Sequence, residues 1–323
     1  MSYTVIIPSS CDQKAIDFLR SKGYQVITGT GTSPEELLKA APLGDAFMAR
    51  IERYPEGFVQ AASRMKILAR HGVGVDNLPV KECEDAGIWV SNGPFSNCET
   101  VAEATIGYLL SCALDLMDSN AATHKGNFLF RGSLHRELGG KVLGVFGWGK
   151  IGSSVAKKAH FGLGMEIVVY DHHWQKKQFP EWVRVAHSVE DALQAADAVT
   201  LHMPMTSETN GMIGEKELAL MKDGSILVNL ARGGIVDEQA LVDNLKSGHL
   251  YAAALDVYAQ EPIRKDSPLL EAPHLLLTPH NASHTKEGME RMAMDAALCI
   301  DDVFSGREPR WPKNHPAHPR ALS

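Results

Sequence analysis

Three residues of complementary chemistry stand just beyond short apolar segments in the second half of the chain: Arg232, Glu261 and His280. A guanidinium grips a carboxylate with two parallel hydrogen bonds and polarises a carbonyl beside it. An imidazole titrates near neutrality and can give or take the proton that accompanies hydride transfer. A carboxylate against that imidazole orients it and favours its charged form. Each residue also has a plainer reading: a structural ion pair for Arg232, a helix-start acid before Pro262 for Glu261, a satisfied loop histidine for His280. All three follow predicted strands, at residues 225–230, 252–255 and 275–277. Ligands of parallel sheets gather at the carboxyl ends of strands, so the combination favours the chemical reading.

The stretch at 141–171 says what would lie beside them. An apolar segment runs into Gly147-Trp148-Gly149-Lys150-Ile151-Gly152, then a helical run at 153–161, then a second apolar segment ending on Asp171. This is strand, glycine turn, helix, strand and terminal acid, the order a dinucleotide site requires. Gly147 permits the turn, Gly149 lets a pyrophosphate lie on bare backbone, and Gly152 lets the helix close on the strand. The helix N-terminus then holds the phosphates. Asp171, 19 residues beyond Gly152, is placed to accept from the adenosine ribose hydroxyls. Its charge repels a 2′-phosphate, so NAD is expected over NADP. The adjacent His172 and His173 read as rim residues near the adenosine, because neighbouring loop positions rarely face one ion.

The elements that must position these groups follow an alternating pattern. Residues 4–8, 24–28, 45–49, 66–69 and 88–91 read as strands, and 13–22, 56–63 and 79–86 as helices. Ser33 caps a further helix with Glu36 at capping-box spacing. Five strands separated by helices imply a small parallel-sheet domain. The loop from Arg70 to Asn77 carries glycines whose N–H groups suit a carboxylate, with a plain tight turn as the equal alternative. A long apolar helix over 101–125 is expected to be buried between domains or subunits. A connecting arm runs on to Leu138. After Asp171, helices are predicted at 189–195, 215–221 and 237–246, with strands at 198–201, 225–230, 252–255 and 275–277. A last helix at 285–304 carries Met289, Met292 and Met294, read as core. The tail at 309–323 reads as loosely held, and its His315 and His318 need no ligand.

With 323 residues, the chain has material for two domains. Its 44% hydrophobic and 22% charged residues are ordinary for a protein with sizeable cores. A net charge of −7 with no basic run makes nucleic acid an unsuitable partner. No apolar stretch approaches the ~20 residues of a membrane span, and the N-terminus does not read as a signal peptide. Five scattered cysteines suit a reducing, cytoplasmic setting.

Six segments, at 70–77, 92–103, 147–152, 229–237, 254–262 and 278–285, together resemble the D-isomer-specific 2-hydroxyacid dehydrogenase family over nearly the whole chain. The resemblance implies an α/β fold of two doubly wound parallel-sheet domains with a cleft between them: a flavodoxin-like substrate domain and a Rossmann NAD-binding domain. It implies that the last helix returns to the first domain, giving residues 1–98 plus 286–323 and residues 99–285. It also implies a homodimer built on the cofactor domains. Arg232 would bind the substrate's carboxylate and keto oxygen, His280 would donate the proton in reduction, and Glu261 would pair with it. Cofactor contacts are implied at Gly147, Gly149, Lys150, Ile151, Gly152, Asp171, His202, Pro204, Thr209, Ala231 and Thr100, with Asp256 on the nicotinamide carboxamide. The backbone of Val73 and Gly74 would hold the substrate carboxylate. No metal is called for, since Arg232 supplies the electrophile.

Within the family, the surroundings of 92–103 look most like phosphoglycerate dehydrogenases, which hold a distal phosphate with arginines matching Arg50 and Arg70. Surface pairing of both arginines is the equal alternative, and a glyoxylate or hydroxypyruvate reductase is then implied. Three departures narrow the field. Ser96 in place of tyrosine weakens D-lactate, Val73 in place of lysine argues against phosphite oxidation, and Glu261 in place of glutamine argues against formate. A chain of 323 residues leaves no room for a serine-sensing domain, so feedback inhibition of that kind is not expected. A rival of another class is an NAD(H)-sensing, corepressor-like interaction protein, which would keep the same catalytic residues.

Overall fold

A computed structural model describes residues 2–321, which fold as two compact units: 2–97 with 284–321, and 98–283. In the first unit, strands β1 (Thr4–Ile7), β2 (Gln25–Thr28), β3 (Ala46–Ala49), β4 (Ile67–Arg70) and β5 (Trp89–Ser91) form one parallel sheet in the order β2-β1-β3-β4-β5. That order reverses direction between β1 and β3, the flavodoxin-like arrangement. Both faces are buried, so successive side chains feed different cores. Val5, Ile7, Met48 and Ile67 meet α1 (Gln13–Ser21) and the final helix, Lys286–Phe304. Ile6, Phe47, Ala49 and Leu68 meet α2 (Pro34–Ala40), α3 (Phe58–Ala61) and α4 (Val80–Asp85). The capping box of Ser33 and Glu36 starts α2.

The second unit has a seven-stranded parallel sheet. Its strands are β6 (Val142–Phe146), β7 (Glu166–Tyr170), β8 (Val183–Ala186), β9 (Ala198–Leu201), β10 (Ser225–Asn229), β11 (Leu250–Leu255) and β12 (Leu275–Leu277). The order is β12-β11-β10-β9-β6-β7-β8, so the switch point lies between β6 and β9. One face packs on α5 (Cys98–Ala113) and α7 (Lys150–Leu163) through Val145, Val169, Val228 and Ala254. The other packs on α8 (Val189–Ala195), α9 (Glu215–Leu220) and α10 (Glu238–Ser247) through Phe146, Val199, Leu227 and Leu255.

Three sequence readings are corrected. The helix expected over 101–125 is two helices, α5 and α6 (Leu116–His124), bent by 66°. The break is Asp115, which takes a left-handed φ of 47°, a conformation that short polar side chains tolerate. α5 is buried within its own unit, while α6 buries no residue. β8 was not predicted; it is a short edge strand with exposed Arg184, whose alternation is too brief to register. The tail is not loosely held. Asn314, buried at 4% exposure, accepts from Val90 N and donates to Ile88 O, and Arg320 donates to the carbonyls of Ala62, Met65 and Ala86. Residues 322 and 323 of that tail lie outside the described residues. Met292 is buried in the final helix, and Met294 packs on the same core. Among the described residues no single helix is long and apolar enough to cross a membrane.

Candidate active site

The glycine turn sits at the carboxyl end of β6, beside the switch point. Gly147 has φ 99°, and a Cβ there would stand 2.6 Å from the carbonyl oxygen of His202. A Cβ on Gly152 would stand 2.0 Å from the carbonyl oxygen of Gly147, so any side chain would push α7 off the turn. Gly149 meets nothing within 4 Å and caps α7. Gly149 and Lys150 are exposed, with Ile151 half-buried, so the helix N-terminus is open to an anion. On the neighbouring strand end, the His202 N–H donates to Phe146 O and its ring Nε2 bonds Thr200 Oγ1 at 3.0 Å. Close packing round this ring pushes its pKa down to about 3, so it is neutral. The Thr209 hydroxyl donates to Pro204 O, closing the loop that follows.

Asp171 ends β7 at 7% exposure. Its Oδ2 accepts from Trp148 N at 2.7 Å and from Lys177 Nζ at 2.5 Å, and its Oδ1 accepts from His173 N at 2.9 Å. Burial alone would raise its pKa, but Lys177 and the two backbone N–H groups outweigh that and lower it. The acid is therefore charged, as the sequence reading requires, and it also carries a counter-ion that reading missed. Lys177 lies in an irregular loop, where no periodicity marks it. His172 and His173 are exposed beside it.

Arg232, Glu261 and His280 come together along the β10, β11 and β12 edge of the same sheet. After β10, Asn229 folds the chain back, accepting from Ala231 N and donating to Arg232 O, while Arg232 Nη1 donates to Ala231 O. A Cβ on Gly233 would stand 1.8 Å from Tyr258 O, so this loop lies directly on the one that follows β11. There Glu261 Oε1 accepts from Tyr258 N, and Oε2 meets His280 Nδ1 at 2.7 Å. Burial opposes the Glu261 charge, yet the His280 hydrogen bond and charge, the Tyr258 N–H and the Arg232 charge together lower its pKa. Glu261 does not begin a helix; turn residues follow it. With Nδ1 committed to Glu261, the ring's Nε2 faces away from it, and the His280 side chain is 52% exposed.

Asp256 holds this arrangement from below. At 1% exposure, its Oδ1 accepts from Thr278 Oγ1 (2.6 Å) and Asn281 N (2.9 Å), and its Oδ2 accepts from Ala282 N (2.9 Å). Tyr108 OH donates to Thr278 Oγ1, and Tyr258 OH to Thr278 O. The three acceptor contacts of Asp256 pin the turn on which His280 sits with φ 50°. Thr278, Tyr108 and Tyr258 gave no signal in sequence, because their hydroxyls converge only through the fold. Thr100 is buried in the first turn of α5.

In the first unit, Arg50 follows β3 and donates to the carbonyl and hydroxyl of Ser10, both at 2.8 Å, across the β1/β3 switch point. Arg70 ends β4 and donates from Nε to Gly74 O at 2.7 Å. Asn92 takes the Val73 carbonyl at 2.6 Å. Both carbonyls are thus turned inward, and no acceptor among the described residues takes the Val73 or Gly74 N–H.

A parallel sheet with a glycine turn at its switch point and an acid one strand on is the architecture of a dinucleotide-binding domain. Residues 106–282 match the family model for the D-isomer specific 2-hydroxyacid dehydrogenase, NAD binding domain. The chain is 36% identical to the D-3-phosphoglycerate dehydrogenase of Archaeoglobus fulgidus over 97% of its own length and 59% of the relative's. It is 34% identical to the hydroxypyruvate reductase of Thermotoga maritima, over 94% of this chain and 97% of that one. The TT0316 protein of Thermus thermophilus superposes with a TM-score of 0.87 at 34% identity, covering 96% of this chain and 99% of that one. The chain belongs to the D-isomer specific 2-hydroxyacid dehydrogenase family, and residues 106–282 are its nicotinamide-cofactor domain. It spans 52–59% of the length of the phosphoglycerate dehydrogenases it matches.

Proposed function

We propose that the chain is an NAD-dependent D-2-hydroxyacid dehydrogenase, passing hydride between C4 of the nicotinamide and C2 of a 2-hydroxy or 2-oxo acid. The observation that carries this is the 2.7 Å pair of His280 Nδ1 and Glu261 Oε2, with the Arg232 charge acting on the same carboxylate. When bound, the cofactor supplies the hydride; the chain's residues do the rest. Arg232 binds the substrate carboxylate and polarises the keto oxygen. His280 delivers the proton from Nε2, and Glu261 holds its tautomer and stabilises its charged form. Asp256, read from sequence as a carboxamide contact, is better understood as a positioning residue for the His280 turn. Gly147, Gly149, Lys150, Ile151, Gly152, His202, Pro204, Thr209, Ala231 and Thr100 remain the proposed cofactor contacts, with residues 98–283 as the cofactor unit.

The unclaimed N–H groups of Val73 and Gly74 suit a carboxylate, which makes residues 2–97 with 284–321 the substrate unit. For the distal end of the substrate, Arg70 and Arg50 suit a phosphate, in line with the relatives named for phosphoglycerate. The competing reading, a hydroxypyruvate or glyoxylate reductase, is favoured by the engagement of both arginines with their own unit and by the relative named for hydroxypyruvate. The test is NADH oxidation with phosphohydroxypyruvate, hydroxypyruvate, glyoxylate, pyruvate and a branched 2-oxo acid, on the wild type and Arg50→Ala. A lead for phosphohydroxypyruvate that the variant loses supports the phosphate reading. A lead for an unphosphorylated acid with an indifferent variant makes the arginines scaffold. Tight NADH binding without turnover of any acid would instead favour a dinucleotide-sensing interaction protein. A homodimer and a cytoplasmic setting complete the proposal; sedimentation of the NAD-bound protein tests the first.

A further inference from the structure

We propose that Asp115, Asp118 and His274 form a site for one divalent transition-metal cation, of which Zn²⁺ is the type, at the opposite end of the seven-stranded sheet from the dinucleotide turn. His274 immediately precedes β12, whereas His280 follows it, so the two histidines mark opposite ends of one strand. Asp115 is the break between α5 and α6, and Asp118 lies three residues on, in the first turn of α6. One ligand atom from each of the three residues lies within 4.8 Å of the other two.

The distances fit coordination better than they fit hydrogen bonding. His274 Nδ1 lies 3.4 Å from Asp118 Oδ2 and 3.9 Å from Asp115 Oδ1. Nitrogen and oxygen ligands about 2.1 Å from a tetrahedral zinc stand about 3.4 Å from each other. Small side-chain shifts therefore complete three positions, leaving a fourth for water.

The independent sign of a missing ligand is Asp115. The residue is 8% exposed, and its Oδ2 is buried without a hydrogen-bond partner, an arrangement that costs free energy unless a positive charge stands nearby. A small recess lined by Asp115 and His274, but not by Asp118, adjoins the cluster. The site is stiffened before any ion arrives. The His274 ring stacks on Tyr251 with centroids 6.2 Å apart and planes 11° apart, and Arg136 covers Tyr251 at 4.8 Å. Cys112 also lines the recess, but burial pushes its thiol up to about 12, so it stays protonated and is not a ligand. Two carboxylate oxygens and one imidazole nitrogen suit zinc, manganese or iron better than calcium, which prefers six to eight oxygens.

The test is titration of the chelator-stripped full chain with Zn²⁺, followed by calorimetry, with bound metal counted by elemental analysis after dialysis. One equivalent per chain is expected to be retained, and the thermal midpoint to rise with Zn²⁺. His274→Asn keeps a side chain that accepts the left-handed backbone found there (φ 52°), and Asp118→Asn is half-exposed and removes only charge. Each is expected to weaken that equivalent at least tenfold while leaving the metal-free melting curve and NADH oxidation unchanged. Absence of a stoichiometric equivalent in the wild type would overturn the site. So would zinc affinity that neither variant alters, which would place the ion on others of the chain's 14 histidines.

Discussion

His280 is held by one ring nitrogen, and that asymmetry decides what substitutions should do. His280→Gln keeps a polar side chain but no proton donor of suitable pKa, so kcat for 2-oxo acid reduction should fall about 10²–10⁴-fold, with NADH affinity kept. Stopped-flow NADH binding beside steady-state turnover checks both halves. Glu261→Gln should lower kcat with NADH affinity kept, because the ring loses the carboxylate that orients it; an unchanged kcat would remove Glu261 from the mechanism. Cofactor choice turns on Asp171 and its counter-ion. Lys177 neutralises the acid that should exclude a 2′-phosphate, and it stands 31% exposed, ready to meet one. Lys177→Ala should therefore sharpen the preference for NADH over NADPH, and Asp171→Ala should relax it. The ratio of kcat/KM for the two cofactors is the readout, and movement in the same direction in both variants would refute these opposed roles.

At the scale of elements, the turn at 278–282 depends on a carboxylate that sequence could not show to be buried. Asp256→Ala strips three hydrogen-bond donors of their acceptor, and bonds to a charged group contribute about 1.5–3 kcal/mol each. Loss of about 4–5 kcal/mol in chemical denaturation, the low end of that sum, is expected, together with a fall in kcat larger than any rise in KM, because the His280 turn loses its support. Gly152→Ala should abolish cofactor binding through the α7 clash. Much of this framework was legible beforehand. Glycine spacing placed the β6–α7–β7 unit, and the acid at 171 gave the strand end. Arg232, Glu261 and His280 were picked out by type and by their positions after strands. What escaped depends on three-dimensional convergence: Lys177 on Asp171, the Tyr108 and Tyr258 hydroxyls on Thr278, and the kink at Asp115, where one left-handed residue separates the buried α5 from the exposed α6. The tail failed for a related reason. Its prolines and histidines resemble a loose terminus, and the contacts of Asn314 and Arg320 with backbone groups of the first unit show otherwise.

Across the whole molecule, acid should be felt through buried histidine. His71, at 4% exposure, is pushed down to about 4 by burial and by the Arg50 and Arg70 charges. The unfolded chain binds a proton there from about pH 6.5 downward while the folded one does not. His71 should thus contribute a fall in stability of about 1.4 kcal/mol per pH unit as pH drops from about 6.5 to 4, below which its share levels off. Urea midpoints at pH 7 and pH 5 should show that slope, reduced in His71→Gln. The division of the first unit into residues 2–97 and 284–321 has a consequence for biosynthesis. Its sheet leaves the ribosome first, yet the helix Lys286–Phe304 and the Asn314 clamp that cover it are translated last. The 186 residues of the inserted unit take about 10–40 s to translate at 5–20 residues per second. During that interval the emerging strands β1–β5 have α1 but not the final helix over one face, so the domain translated second is the first able to finish folding.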